Sequence, residues 1–161
     1  TAVGRLLLAH NQTVSVAESC TGGGLGQLLT TVAGSSAYFV GGIVSYSNAV
    51  KHNLLGVALD PLDTQGAVSA EVAEQMAVGV QQRLATDWGI SITGIAGPEG
   101  GTETKPVGLV YIGLAGPNNQ VTHHRYRFGT LGGRDWVRHL SRASALDQLR
   151  RRMSLNCEVM P

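Results

Sequence analysis

The sequence predicts an α/β fold, a three-layer α/β/α sandwich whose mixed β-sheet includes an antiparallel hairpin. Three observations carry this. Short β-branched runs alternate with stretches of helical period along the chain, the pattern of strands covered by helices. Two strand-like runs, 107–115 and 121–128, flank Gly116-Pro117-Asn118-Asn119, a turn signal far too short for a crossover helix, so one strand pair is antiparallel. No repeat, linker or low-complexity tract interrupts the 161 residues, a length within the range of about 100–200 residues that one domain occupies. Residues 1–161 are therefore expected to form a single domain.

The chain opens in helical register, with Val3, Leu6 and Leu7 on one side and His10 at its end, as if the domain had been excised from a longer chain. Thr13 to Ala17 is a β-branched strand, and Leu25, Leu28, Leu29 and Val32 then recur at helical spacing. Strand, tight turn and helix follow one another there. Tyr38 to Tyr46 reads as a second strand that Gly41-Gly42 can bend, with Asn48 as N-cap of a short helix through Leu55. Lys51 falls one turn inside that helix. Ser69 caps a longer helix with Val72, Ala73, Met76, Ala77, Val80 and Leu84 on its apolar side and Glu71 and Glu74 in its first turn. Trp88 to Thr93 is a third strand, and the stretch from Gly94 to Pro106 is a loop because it is rich in glycine and proline. After the hairpin, a helix from about Arg134 to Met153 carries Trp136, Val137, Leu140, Ala143, Leu146, Leu149 and Met153 as its expected stripe.

Composition narrows the function. The net charge is +1 and charged residues make up 14%, so the basic face that nucleic-acid binding needs is not expected. Arg150-Arg151-Arg152 reads as the solvated last turn of a helix. Cys20 and Cys157 show neither metal-ligand spacing nor a disulfide framework, which points to a reducing, cytoplasmic setting. No apolar run reaches the ~18 residues that a membrane span requires, and no leader pattern opens the chain. Neither a membrane nor a metal or other cofactor is expected as a partner. Glycine is the outlier: the 22 glycines cluster at element junctions, where a backbone turns sharply or approaches a ligand.

Ligands of open α/β sheets sit beyond the carboxyl ends of strands, which singles out Ser19 and Thr21 after the first strand and Thr93 after the third. A serine at such a turn can be an exposed nucleophile, with amides near Thr21, Gly22 and Gly23 available to a phosphate or an oxyanion. The same ESCTGG segment also reads as a capped helix start. Serine needs a base. The five histidines fall at helix ends, on a strand or on helix surfaces, whereas Lys51 is one of two lysines and lies in an uncharged stretch. A desolvated lysine titrates low and can accept a proton. A surface lysine is the plainer reading of the same residue.

Several segments become recognisable together: AESCTGG (17–23), GSSAYF (34–39), GGIVSYSNAVK (41–51), LLGV (54–57), GAVS (66–69), SITGIAGPEGG (91–101) and KPVG (105–108). In their order and spacing they resemble the CinA C-terminal domain family, the bacterial nicotinamide-nucleotide amidohydrolases. The resemblance implies metal-independent hydrolysis of nicotinamide mononucleotide, a small pyridine nucleotide, to nicotinic acid mononucleotide and ammonia in pyridine-nucleotide recycling. Carried over position by position, Ser19 looks like the nucleophile, Lys51 like its base, and Tyr46, Ser36, Thr93 and Gly94 like their hydrogen-bonding surroundings. Arg134, or Arg138 one turn later, would anchor the substrate phosphate. Here the chain departs from the family pattern: FGTLGGRDWVR (128–138) has a longer loop, and Gly133 stands where an aspartate is usual. Ala49 likewise stands where a glutamate is common. Some family members carry a molybdopterin-binding-like domain ahead of this one. Two competing readings are a nucleotide-binding regulatory module without turnover, and a cysteine hydrolase using Cys20, since a thiol at a helix N-terminus can ionise readily. A site edged by the last helix could also borrow a residue from a second copy, leaving a homo-oligomer as an open expectation.

Overall fold

The computed structural model describes the backbone of residues 2–157 and the side chains of residues 2–155; Thr1 and residues 158–161 of the expected domain, and the Cys157 side chain, lie outside the described residues. The chain runs α1 (Ala2–Ala9), β1 (Val14–Glu18), α2 (Gly24–Thr30), β2 (Phe39–Val44), α3 (Asn48–Leu55), α4 (Leu59–Thr64), α5 (Ala70–Arg83), β3 (Trp88–Gly94), β4 (Leu109–Gly116), β5 (Gln120–Arg127) and α6 (Gly133–Cys157). The strands form one sheet in the order β2-β1-β3-β4-β5. β1 pairs parallel with β2 and β3, while β4 is antiparallel to both β3 and β5. The mixed three-layer sandwich expected from the sequence is the fold that forms.

The helices divide between the faces according to strand alternation. On one face, Leu7 of α1, Leu25 and Leu29 of α2, and Val137, Ala145 and Leu149 of α6 pack with Val16, Ile90 and Ile92. On the other, Leu55, Leu62, Val72, Met76 and Val80 from α3, α4 and α5 gather over Ala17. The sheet residues beneath α5 are small and polar: Ser15 and Ser91 donate to the carbonyls of Val80 and Ala73. A Cβ on Gly113 would stand 2.3 Å from the Ala73 carbonyl oxygen, and one on Gly79 would stand 1.9 Å from that of Leu55. Glycine at these two positions lets α5 lie against the sheet and α3 against α5. That stacking fixes the height of α3, and so of Lys51, relative to the ends of the strands.

Three local expectations are corrected. Ser47, not Asn48, caps α3: its backbone is extended and its hydroxyl accepts from the Val50 amide, while Asn48 is already the first helical residue. α4 is a further helix that apolar periodicity does not signal; Pro61 fits inside it because first-turn amides lack helical partners anyway. The buried stripe of α6 is Val137, Ser141, Ala145, Leu149 and Met153, spaced by four, so Trp136 is 48% exposed and stacks on His139 instead. Ala143 is exposed as well. Arg150 and Arg151 both pair with Asp147. Among the described residues no helix is long and apolar enough to cross a membrane.

Candidate active site

β1 ends beneath a turn, Ser19 to Gly23, that precedes α2. The Ser19 amide donates to the Ile92 carbonyl (3.0 Å), and the Ser45 amide to that of Glu18 (2.8 Å), so sheet pairing on both sides fixes the backbone where Ser19 emerges. Gly22 and Gly23 adopt φ of 58° and 91°, left-handed values that admit glycine without the Cβ penalty. α2 has no capping side chain at Gly23. Glu18, 1% exposed, takes that role: its carboxylate oxygens accept from the amides of Leu25 (2.9 Å) and Gly26 (2.8 Å). Glu18 thus satisfies the amides of Leu25 and Gly26, just beyond the Thr21 to Gly23 segment whose amides the sequence offers to an anion. Upstream, the Cys20 amide faces its own thiol, and the Thr21 amide makes no backbone hydrogen bond among the described residues.

Lys51 reaches this turn from the first turn of α3. Its side chain is completely buried, and Nζ lies 3.2 Å from Ser19 Oγ, 2.6 Å from the Ser45 carbonyl oxygen and 3.3 Å from that of Tyr46. No carboxylate pairs with it among the described residues. Burial therefore lowers its pKa below the ordinary lysine value, because the charged form loses solvation. A neutral amine has two hydrogens and one lone pair. As an ammonium, Lys51 donates to Ser19 Oγ as well as to the carbonyls; once neutral, with its two hydrogens on the carbonyls, its lone pair would be left for the Ser19 hydroxyl. The Cys20 thiol behaves oppositely: it is buried, and desolvation pushes its pKa up to about 11. Burial thus works against the ready thiolate that a helix N-terminus would favour.

In front of Ser19 opens a small cleft of about 230 Å³, lined by Cys20, Tyr46, Gly94 to Gly97, Glu99, Gly100 and Arg134. At its rim Arg134 donates to the Gly97 carbonyl (2.9 Å) and approaches the Tyr46 hydroxyl at 3.5 Å. Among the described residues no group of three or more His, Cys, Asp and Glu side chains is arranged to hold a metal ion.

The structure brings Ser19, Lys51, Tyr46, Gly94 and Arg134 together, and it places the remaining expected residues elsewhere. Arg138 turns away from the cleft to donate to the Thr21 carbonyl (3.0 Å), beside Gly22. Thr21 is completely buried with its hydroxyl unpartnered, while Gly22 and Gly23 shape the turn behind Ser19. Thr93 points to the α5 side of the sheet, where its hydroxyl donates to the Ala67 carbonyl. Strand alternation explains this, since Ile92 faces the opposite core. Ser36 lies in the turn before β2. Because β2 runs parallel to β1, with Phe39 beside Val14, that turn is at the far end of the sheet from Ser19. Sequence reasoning missed the carbonyls of Ser45 and Tyr46, which carry no side-chain signal. It also missed Glu18, for which an acid just before a glycine-capped helix is the available clue.

A family model described as the CinA C-terminal domain matches residues 1–153. The CinA-like protein of Nostoc punctiforme is 66% identical over 151 residues, covering 94% of this chain and 36% of that protein. Its counterpart from Synechococcus elongatus is 65% identical over 149 residues, covering 92% and 35%. The chain thus spans about a third of the length of the curated relatives it matches. Among solved structures, a CinA superfamily protein from Klebsiella pneumoniae superposes with a TM-score of 0.90 at 32% identity, over 96% of this chain and 94% of that one. A competence/damage-inducible protein from Agrobacterium tumefaciens gives 0.87 at 40% identity, over 92% and 94%. Fold, motif order and sequence identity agree, and the chain belongs to the CinA C-terminal domain family.

Proposed function

We propose that this domain is an amidohydrolase that converts nicotinamide mononucleotide to nicotinic acid mononucleotide and ammonia through Ser19 and Lys51, in the cytoplasm, as part of pyridine-nucleotide recycling. The observation that carries the reading is the buried Lys51 amine 3.2 Å from Ser19 Oγ, with two carbonyls directing its hydrogens elsewhere. Ser19 Oγ attacks the carboxamide carbon as its proton passes to Lys51 Nζ. The tetrahedral intermediate collapses when that proton is returned to the nitrogen, which leaves as ammonia. Water then attacks the acyl-enzyme, gives a proton to Lys51 and releases the carboxylate, and Ser19 recovers its proton.

The amides that follow the nucleophile, those of Cys20 and Thr21, are the candidate oxyanion donors. Arg134 at the rim is the candidate for the phosphate, since it lines the cleft and Arg138 does not. Tyr46 contributes its carbonyl to Lys51 and its ring to the rim. The reading calls for no metal. An assay of ammonia release from nicotinamide mononucleotide tests it. Wild type should turn over equally with and without a chelator, and Ser19→Ala should not turn over. An inactive wild type that still binds the nucleotide would favour the regulatory module instead.

A further inference from the structure

The cleft in front of Ser19 carries a charge that the proposed chemistry leaves unused. Of the side chains that line it, two are charged, Glu99 and Arg134; Lys51, buried behind Ser19, is not among them. Arg134 is tied to the wall through the Gly97 carbonyl and stands beside the Tyr46 hydroxyl. Glu99 is exposed, and its carboxylate has no hydrogen-bond or ion-pair partner among the described residues, Arg134 included. Its place is nevertheless set by the backbone. Pro98 and Glu99 are flanked by Gly97 and Gly100, whose φ of 82° and 85° lie in the left-handed region. A Cβ on Gly97 would stand 2.5 Å from Val107 Cγ1, so glycine there lets the loop close on its returning limb. The Ile95 amide donates to the Leu109 carbonyl (2.9 Å) and the Gly108 amide to that of Ile95 (2.8 Å). Glu99 therefore stands on an anchored wall, two residues beyond the carbonyl that Arg134 holds.

An acid at this position is unfavourable toward the phosphate assigned to Arg134, because like charges in one small cleft repel. It suits a ligand that carries a positive charge as well. Nicotinamide mononucleotide is such a ligand: its ring nitrogen is bonded to the ribose, which makes the ring a pyridinium cation, and its phosphate is the anion. With the carboxamide at Ser19 and the phosphate at Arg134, Glu99 is the one lining group that answers the charge of the ring. We infer that Glu99 is a specificity-determining residue that pairs with this cation, so that the domain selects the oxidised, pyridinium form of its nucleotide over the reduced dihydropyridine form, whose ring is neutral. The inference rests on the proposed function for the identity of the ligand. Because the carboxylate is exposed, water and salt screen the pair and keep its effect modest.

The test compares the dissociation constants of nicotinamide mononucleotide and its reduced form, by calorimetry at low ionic strength. The 161-residue chain carries Ser19→Ala, so that neither ligand is consumed, with and without Glu99→Gln. Glu99→Gln should weaken the oxidised nucleotide roughly three- to fivefold and leave the reduced one unchanged or slightly tighter, and the difference should fade at high salt. Equal weakening of both forms would assign Glu99 to the ribose hydroxyls, which the two share, and overturns the inference. So does an oxidised-form affinity that the substitution leaves alone, the behaviour of a solvated surface acid. Glu99 is exposed, so far-UV circular dichroism should show the fold retained. Ammonia release by wild type scores the amidase reading separately. If release is absent while the preference for the oxidised form persists and is lost in Glu99→Gln, the inference stands and the amidase reading alone fails. A chain that binds neither form overturns both.

Discussion

At the floor of the cleft, Lys51 is completely buried and held by main-chain carbonyls of Ser45 and Tyr46, whereas at the rim Tyr46 is 64% exposed and Arg134 reaches it across 3.5 Å of open surface. The floor is made by backbone that the sheet and α3 position, so its geometry does not depend on which substrate is present. Side chains that solvent can re-solvate make the rim. Under the proposed function the floor would carry the chemistry and the rim the recognition, a division that separates effects on kcat from effects on KM.

The largest expected effect breaks the floor. Lys51→Met keeps the volume and removes the base, and a positioned base is worth about 10²–10⁴ in rate; steady-state kinetics should show kcat falling on that scale with KM within several-fold. A large rise in KM at unchanged kcat would transfer Lys51 to the recognition side of the comparison. Next comes the rim. Arg134→Ala should raise KM roughly ten- to hundredfold, the equivalent of losing a charge-assisted contact of ~1.5 to 3 kcal/mol. That defect should shrink with nicotinamide riboside, which lacks the phosphate. Arg138→Ala should do far less, and the reverse ranking of the two arginines would move the anchor one helical turn.

The pH dependence sharpens the same division. Protonated Lys51 cannot accept the Ser19 proton, so kcat/KM should fall as pH falls through the folded-state pKa of Lys51. Burial lowers that pKa, so the midpoint of the limb belongs below the ordinary lysine value. A limb at or above that value would mean that the amine is solvated during turnover. The linked stability has the corresponding sign: the unfolded chain binds the extra proton between the two pKa values, so this group favours folding increasingly as pH rises across that window. The smallest effect is at Cys20. Cys20→Ala should leave kcat within several-fold, because a thiol raised to about 11 contributes no thiolate near neutrality. Loss of turnover in Cys20→Ala, with Ser19→Ala still active, would exchange the roles of the two residues.

Most elements of the fold were legible because their signals are local. Ile90 and Ile92, two apart, marked β3, and Val72, Met76 and Val80 at helical spacing marked α5. Asn118 and Asn119 take the left-handed backbone of the β4–β5 turn, a conformation asparagine tolerates. α4 was not legible, since its six residues bury only Pro61 and Leu62 and show no apolar period. The site was less legible than the fold. Ser19 and Lys51 are 32 positions apart, and no spacing rule joins them; position and desolvation left the pair as one reading among others, and the resemblance selected it. Thr93 was expected at the cleft because it ends a strand, but which face a strand residue presents depends on register. Ser36 was expected there because its motif is recognisable, and a motif says nothing of which end of a parallel strand it precedes.

The setting of Lys51 also bears on when the cost of ordering falls. A lysine side chain carries about 2 kcal/mol of rotamer entropy, and here that freedom is surrendered once, as α3 docks against α5 and the Ser45 and Tyr46 carbonyls close on Nζ. In the proposed reaction, the base would therefore already stand 3.2 Å from Ser19 Oγ before substrate reaches the rim, and the amine would add no conformational search to the activation barrier.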